Sequence, residues 1–201
     1  MQQRKQIRLS SYNYSTPGHY FITLCTQNRE HIFGNIIQDK MVMSDLGIIV
    51  DHWMHQIPKR YEQIELDTYQ IMPNHVHMIL YVVGVHDNNV GVHHDAPLQQ
   101  QPYKRGRTNR GDKRELLPIC IGYFKMNTTK SINQYYVRAH HDAPQRSNIA
   151  PQRNKIWQRN YYEHIIRTHR DLEKIRKYIH MNPILWERDR NNLQQHHGCQ
   201  S

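Results

Sequence analysis

Apolar positions recur along this chain with two periods, and the period switches from segment to segment. From His19 to Gln27 (HYFITLCTQ) aromatic and β-branched residues crowd together, which predicts a strand. Asn28-Arg29 begins a turn, and Ile32-Phe33-Gly34 offers a short pairing segment. From Ser44 to Ile57 the spacing becomes helical, with Leu46, Ile49, Val50, Trp53, Met54 and Ile57 on one stripe. Ser44 suits its N-cap and Pro58 its stop. Leu66 to Met72 and His75 to Val83 read as two strands joined by a Pro73-Asn74 turn. Leu116 to Tyr136 predicts a helix despite Pro118, with Ile119, Phe124 and Ile132 on its apolar face. Ile156-Trp157 and Tyr162 to Ile166 are short strand-like runs. Arg170 to Met181 is a helix with Leu172, Ile175 and Ile179 on one side, ended by Pro183. The tail after Arg188 is polar and reads as frayed.

Two polar stretches interrupt this pattern, at about 84–111 and 139–154. Each is too poor in apolar side chains to be core, and the first is too long for an ordinary connection. His93-His94-Asp95-Ala96-Pro97 in one returns as His140-His141-Asp142-Ala143-Pro144 in the other. Nothing around the copies repeats with them, so both read as solvated surface loops rather than as repeat units. Residues 1–201 then form a single domain with two insertions. Strand, helix, two strands, helix, strand and a final helix predict an α+β, ferredoxin-like sandwich. Its antiparallel sheet carries helices on one face, and the C-terminal helix bears a tyrosine. Such a scaffold serves many nucleic-acid binders, so it leaves function open.

Charge narrows the partners. Lys+Arg 27 against Asp+Glu 17 leaves a formal net charge of +10, which favours a polyanion such as nucleic acid. Arg4, Lys5, Arg8, Lys104, Arg105, Arg107, Arg110, Lys125 and Lys130 are candidate strand guides, each equally readable as a solvated charge. Cys25, Cys120 and Cys199 are odd in number and widely spaced, which fits a reducing, cytoplasmic setting. The basic N-terminus is followed by no apolar run of a signal peptide. No apolar stretch approaches the roughly 20 residues a bilayer span needs.

The candidate chemistry sits in two places. His75 and His77 point to the same face of their strand, while Val76 and Met78 point to the other. Two parallel imidazoles suit a divalent cation, and a third ligand must come from elsewhere. Among 16 histidines roughly one His-x-His pair is expected by chance. This pair is the only one, and it lies in an apolar strand; the bland reading is two histidines on a wet strand face. Tyr178 and Asn182, four apart on a helix, share a face. A phenol is a poor nucleophile at neutral pH unless a metal or base assists. The bland reading here packs the Tyr178 ring in the core and leaves Asn182 as a helix cap.

Met72-Pro73-Asn74-His75-Val76-His77 resembles the histidine strand of single-tyrosine HUH transposases. Ile156 to Arg167 (IWQRNYYEHIIR) resembles the segment before their catalytic helix, and Tyr178-Ile179-His180-Met181-Asn182-Pro183 the helix end that bears the nucleophile. The resemblance is to the REP-associated tyrosine transposase group and spans about residues 10–188, the insertions excepted. It implies His75, His77 and Asn182 as ligands of Mg²⁺ or Mn²⁺, and Tyr178 as the nucleophile. Some relatives place a glutamine where Asn182 stands. Glu163, His164 and Arg167 match the motif without an assigned role.

The implied activity is single-strand cleavage and transfer on hairpin DNA through a covalent 5′-phosphotyrosine. No nucleotide cofactor is required, and no GxxxxGK[ST] loop is present. The protein would work in the cytoplasm at the nucleoid, as a monomer or homodimer. The first rival is a non-catalytic nucleic-acid-binding module on the same fold. A plasmid-type HUH nickase is a second, and a domesticated, poorly cleaving relative is a third.

Overall fold

The computed structural model describes residues 13–84, 115–139, 155–189 and 191–192. The repeated His-His-Asp-Ala-Pro motifs and all but the ends of the two polar insertions lie outside them, as do Arg4, Lys5, Arg8, Lys104, Arg105, Arg107 and Arg110. Six strands and three helices follow one another as β1 (Gly18–Cys25), β2 (Gly34–Ile37), β3 (Lys40–Met43), α1 (Asp45–Arg60), β4 (Ile64–Met72), β5 (His75–Val82), α2 (Leu116–Ala139), β6 (Tyr162–Ile166) and α3 (His169–Met181).

Four strands form an antiparallel sheet in the order β4-β5-β1-β6. The alternation of β1 and β5 divides their side chains between two layers. Tyr20, Ile22, Leu24, Val76, Met78 and Leu80 pack with Leu46, Val50, Met54 and Ile57 of α1 and with Leu117, Cys120, Ile121, Phe124 and Ile132 of α2. Phe21 and Ile79 face the other way and pack with Ile166 and with Leu172 and Ile179 of α3. The architecture is therefore the α+β sandwich that the pattern predicts, with α1 and α2 on one face and the tyrosine helix on the other.

Four local expectations need correction. Pro58 does not stop α1, which continues to Arg60. A fixed φ near −65° is compatible with helix, and the anchoring of Leu46, Val50, Met54 and Ile57 in the core outweighs one lost hydrogen bond. Ile119 is only half-buried, and the buried face of α2 is instead Leu117, Cys120, Ile121, Phe124, Thr128 and Ile132. The short segment near Ile32 leads into a separate hairpin, β2–β3, whose register ends at Ile37↔Lys40. Its two-residue turn places Gln38 and Asp39 at φ 49° and 60°, a conformation usually signalled by Asn-Gly. The start of the tail is not frayed: past Arg188, Asn191 and Asn192 are buried and hydrogen-bonded, while residues 193–201 lie outside the described residues.

Candidate active site

Both histidines of β5 lie in the layer beneath α3. They are not on a wet face: His75 is 0 % and His77 2 % exposed. Their Nε2 atoms stand 3.0 Å apart. Each ring is held from behind through Nδ1. His75 Nδ1 lies 2.8 Å from Asn74 Oδ1. The Asn74 amide group donates to the carbonyls of Arg29 (3.1 Å) and Asn191 (2.7 Å), so its oxygen is the atom facing His75. That oxygen can only accept, which places the proton on His75 Nδ1 and leaves the Nε2 lone pair, facing His77 Nε2, able to accept a proton or to ligate. His77 Nδ1 lies 2.8 Å from Thr23 Oγ1, across the β1–β5 ladder. The hydroxyl can donate or accept, so His77 can switch tautomer as its Nε2 partner changes. Burial, aided by the charges of Arg29 and His31, pushes the His75 pKa down to about 3. The ring is thus neutral across the physiological range, as a metal ligand must be.

The two Nε2 atoms converge on one point at hydrogen-bond distance, so both imidazoles could be presented to a single cation. A third donor is at hand. A carboxylate oxygen of Asp189 and a nitrogen from each of His75 and His77 all lie within 4.8 Å of one another. Asp189 follows the short 3₁₀ turn Trp186–Arg188. Its Oδ1 accepts from the Asn191 backbone N–H at 2.6 Å, and Asn191 Oδ1 accepts from Arg29 at 2.7 Å. Trp186 packs beside His75, with ring centroids 5.9 Å apart. These contacts fasten the C-terminal turn onto the histidine strand.

The tyrosine arrives on α3. Thr168 caps the helix by accepting from the Asp171 N–H, while Leu172 and Ile179 bury its inner face. Tyr178, beside Ile179, remains 41 % exposed. Its hydroxyl lies 3.4 Å from His77 Nε2, and its ring meets Phe21 at 86° with centroids 6.1 Å apart. Asn182 is buried at the C-terminal end of α3, and its Oδ1 has no hydrogen-bond partner among the described residues. A lone buried carbonyl oxygen is costly, and a cation would satisfy it. His75, His77 and Tyr178 therefore come together, and the chemistry of the surrounding donors fits a divalent ion.

The helix is also clamped from below. Arg176 donates from Nε to Asp67 Oδ1 at 2.9 Å and from Nη2 to Asp67 Oδ2, and from Nη1 to Glu173 at 2.6 Å. Asp67 sits where the β4–β5 register slips between Leu66 and Thr68. Such a bulge re-aims a side chain, and here the Asp67 carboxylate meets α3. Burial alone would raise the Asp67 pKa, but hydrogen bonds from Arg176 and Thr68 and the charges of Arg176 and His19 outweigh it and hold the group below its ordinary 3.8. The clamp is therefore fully present above that value and is lost as pH falls through the lower folded value. Arg176→Met is expected to destabilise the protein by about 1–3 kcal/mol near neutral pH, by leaving the half-buried Asp67 carboxylate without its guanidinium partner. In urea titrations the gap from the parent protein should close below pH 4.

Sequence reasoning missed Asp189, Asn74 as the orienting group of His75, and Thr23 as that of His77. The one available signal for Asp189 was Trp186, a large aromatic just before the polar tail. Lys125, a candidate strand guide by sequence, donates to the carbonyls of Gln158 (2.6 Å) and Arg159 (3.0 Å) and so ties α2 to the segment before β6. Lys130 is exposed, and so are Arg167, Arg170, Lys174 and Lys177 on and beside α3. No helix among the described residues is long and apolar enough to cross a membrane.

No family model matches the chain. An uncharacterized protein of Haemophilus influenzae is 36 % identical over 186 residues, covering 92 % of this chain and 91 % of that protein. Among solved structures, a REP-associated tyrosine transposase bound to a REP hairpin aligns with a TM-score of 0.51 at 15 % identity. The alignment covers 92 % of this chain and 73 % of that one. At that identity the likeness establishes the fold.

Proposed function

This chain belongs to one family with the Haemophilus influenzae protein and has the fold of a REP-associated tyrosine transposase, and from that premise we propose that it is a single-strand DNA transposase of the HUH kind, acting on hairpin DNA. The observation that carries the reading is the half-exposed Tyr178 hydroxyl 3.4 Å from His77, above two buried imidazoles whose Nε2 atoms are 3.0 Å apart. A tyrosine packed only as core would be covered, and histidines serving only as surface would not be buried and oriented from behind.

His75, His77 and Asp189 would hold Mg²⁺ or Mn²⁺, with Asn182 as a further donor. The bound ion would draw negative charge from the scissile phosphate and fix its position. Thr23 and Asn74 keep the two imidazoles aimed at one point. The Tyr178 oxygen forms a bond to phosphorus as its proton passes to solvent water, which the half-exposed ring admits, and water returns a proton to the leaving 3′-oxygen. The bond to the 3′-oxygen breaks, that oxygen departs as a hydroxyl, and the 5′ end stays on Tyr178 as a phosphodiester. Attack by another 3′-hydroxyl runs the step backwards and joins strands. The exposed cations on and beside α3 supply sequence-independent attraction for the strand. A cytoplasmic location at the DNA follows from this activity.

Mixed with Mn²⁺ and hairpin-bearing single-stranded DNA from the region flanking its gene, the protein is expected to form an adduct that survives denaturant. Excess chelator should abolish it. Tight hairpin binding without any adduct would instead favour the non-catalytic binding module.

A further inference from the structure

The sheet face that carries the histidines does not end at β1. Thr23, which orients His77, pairs on its other side with Tyr162 of the edge strand β6. His77, Thr23 and Tyr162 therefore form one row across three strands. With strands about 4.8 Å apart, Tyr162 stands about 10 Å from His77 along that row. The Tyr162 ring is 48 % exposed. It meets Phe21 edge-on at 71°, with centroids 6.3 Å apart, and Phe21 meets Tyr178 edge-on in turn. Phe21 itself is buried against α3. A continuous aromatic strip thus runs from the Tyr178 hydroxyl to the sheet edge, and it is open at its outer end. His164 on the same strand face and Arg167 just beyond it are exposed.

We propose that Tyr162 is a base-stacking site for an unpaired nucleotide adjacent to the scissile phosphate, with Phe21 as the rigid wall behind it. The proposal rests on the single-strand reading above. A strand anchored by one phosphate at the histidines passes over the row, and its neighbouring base comes within reach of the Tyr162 face. Aromatic faces hold single-stranded bases without reading their sequence. A chain with net charge +10 and an exposed Arg167 at this edge suits the accompanying backbone. The duplex part of a hairpin has its bases stacked internally, so this site takes only the single-stranded flank.

The test uses the full chain carrying Tyr178→Phe, so that the strand stays intact. The probes are hairpin oligonucleotides from the gene-flanking DNA, each with a single-stranded flank bearing 2-aminopurine at one position. At one flank position the fluorescence should be quenched on binding, and Tyr162→Phe should preserve the quenching. Tyr162→Ile keeps β propensity and apolar bulk but has no aromatic face. It should lose the quenching and weaken binding of flanked hairpins about 5- to 150-fold, leaving flankless hairpins unaffected. Quenching and affinity unchanged in Tyr162→Ile would overturn the proposal while leaving the nuclease reading intact. If the unsubstituted protein neither binds flanked hairpins nor forms an adduct with Mn²⁺, the nuclease reading falls and this site falls with it.

Discussion

Tyr178→Phe is expected to abolish the covalent protein–DNA adduct, by about 10³-fold or more, while hairpin binding stays within a few-fold of the parent protein. The substitution removes one oxygen and nothing else. The ring keeps its edge-on contact with Phe21 and Ile179 keeps its seat under the sheet, so α3 remains docked. The Tyr178 hydroxyl stands against the histidine pair, 3.4 Å from His77 Nε2. Tyr162, the nearest along the strip, is separated from Tyr178 by the Phe21 ring. Adduct at the parent level in Tyr178→Phe would assign the nucleophile elsewhere. Gel shift and denaturing electrophoresis on the same samples separate loss of chemistry from loss of binding.

The second large effect concerns the ion. His77→Gln or His75→Gln is expected to lower Mn²⁺ affinity beyond the roughly 10- to 100-fold typical for loss of an outer-shell partner, as read by titration with Mn²⁺ electron paramagnetic resonance. Thr23→Val, which removes only the group behind His77, should fall within that range. The remaining position discriminates between two candidates. Asp189 shares a 4.8 Å neighbourhood with both imidazoles, and Asn182 carries a buried oxygen without a hydrogen-bond partner among the described residues. Asp189→Asn should weaken Mn²⁺ binding, because a carboxylate contributes a full charge to a hard cation. If Asn182→Ala alone weakens it, the ligand set is the one that family resemblance implies. Equal Mn²⁺ binding in both histidine variants would remove the metal from the account.

Much of this site is legible in the sequence, and the parts that are not share a cause. Period-two alternation places His75 and His77 on one face and Val76 and Met78 on the other, and the sheet register agrees. The 3.6 period of Leu172, Ile175 and Ile179 likewise sets Tyr178 at the border of the buried stripe. Burial of the histidines is not legible, because residue type points to solvent and only packing by α3 and by the Trp186 turn overrides it. Asp67 and Asp189 are acidic side chains in ordinary polar surroundings along the chain. A register slip aims one at Arg176, and a buried Trp186 folds the other back onto β5. Gln38-Asp39 hides a hairpin turn because neither residue is the glycine that usually marks it. Most of these depend on contacts between residues distant in the chain, which local pattern cannot carry.

Peptide mass spectrometry of the adduct tests the central claim most directly. After Mn²⁺-dependent reaction, nuclease trimming and proteolysis, a nucleotide phosphate is expected on the peptide of α3, attached at Tyr178 through the DNA 5′ end. A nucleotide on any other residue, or strand cleavage that leaves no covalent protein–DNA linkage, would contradict the account.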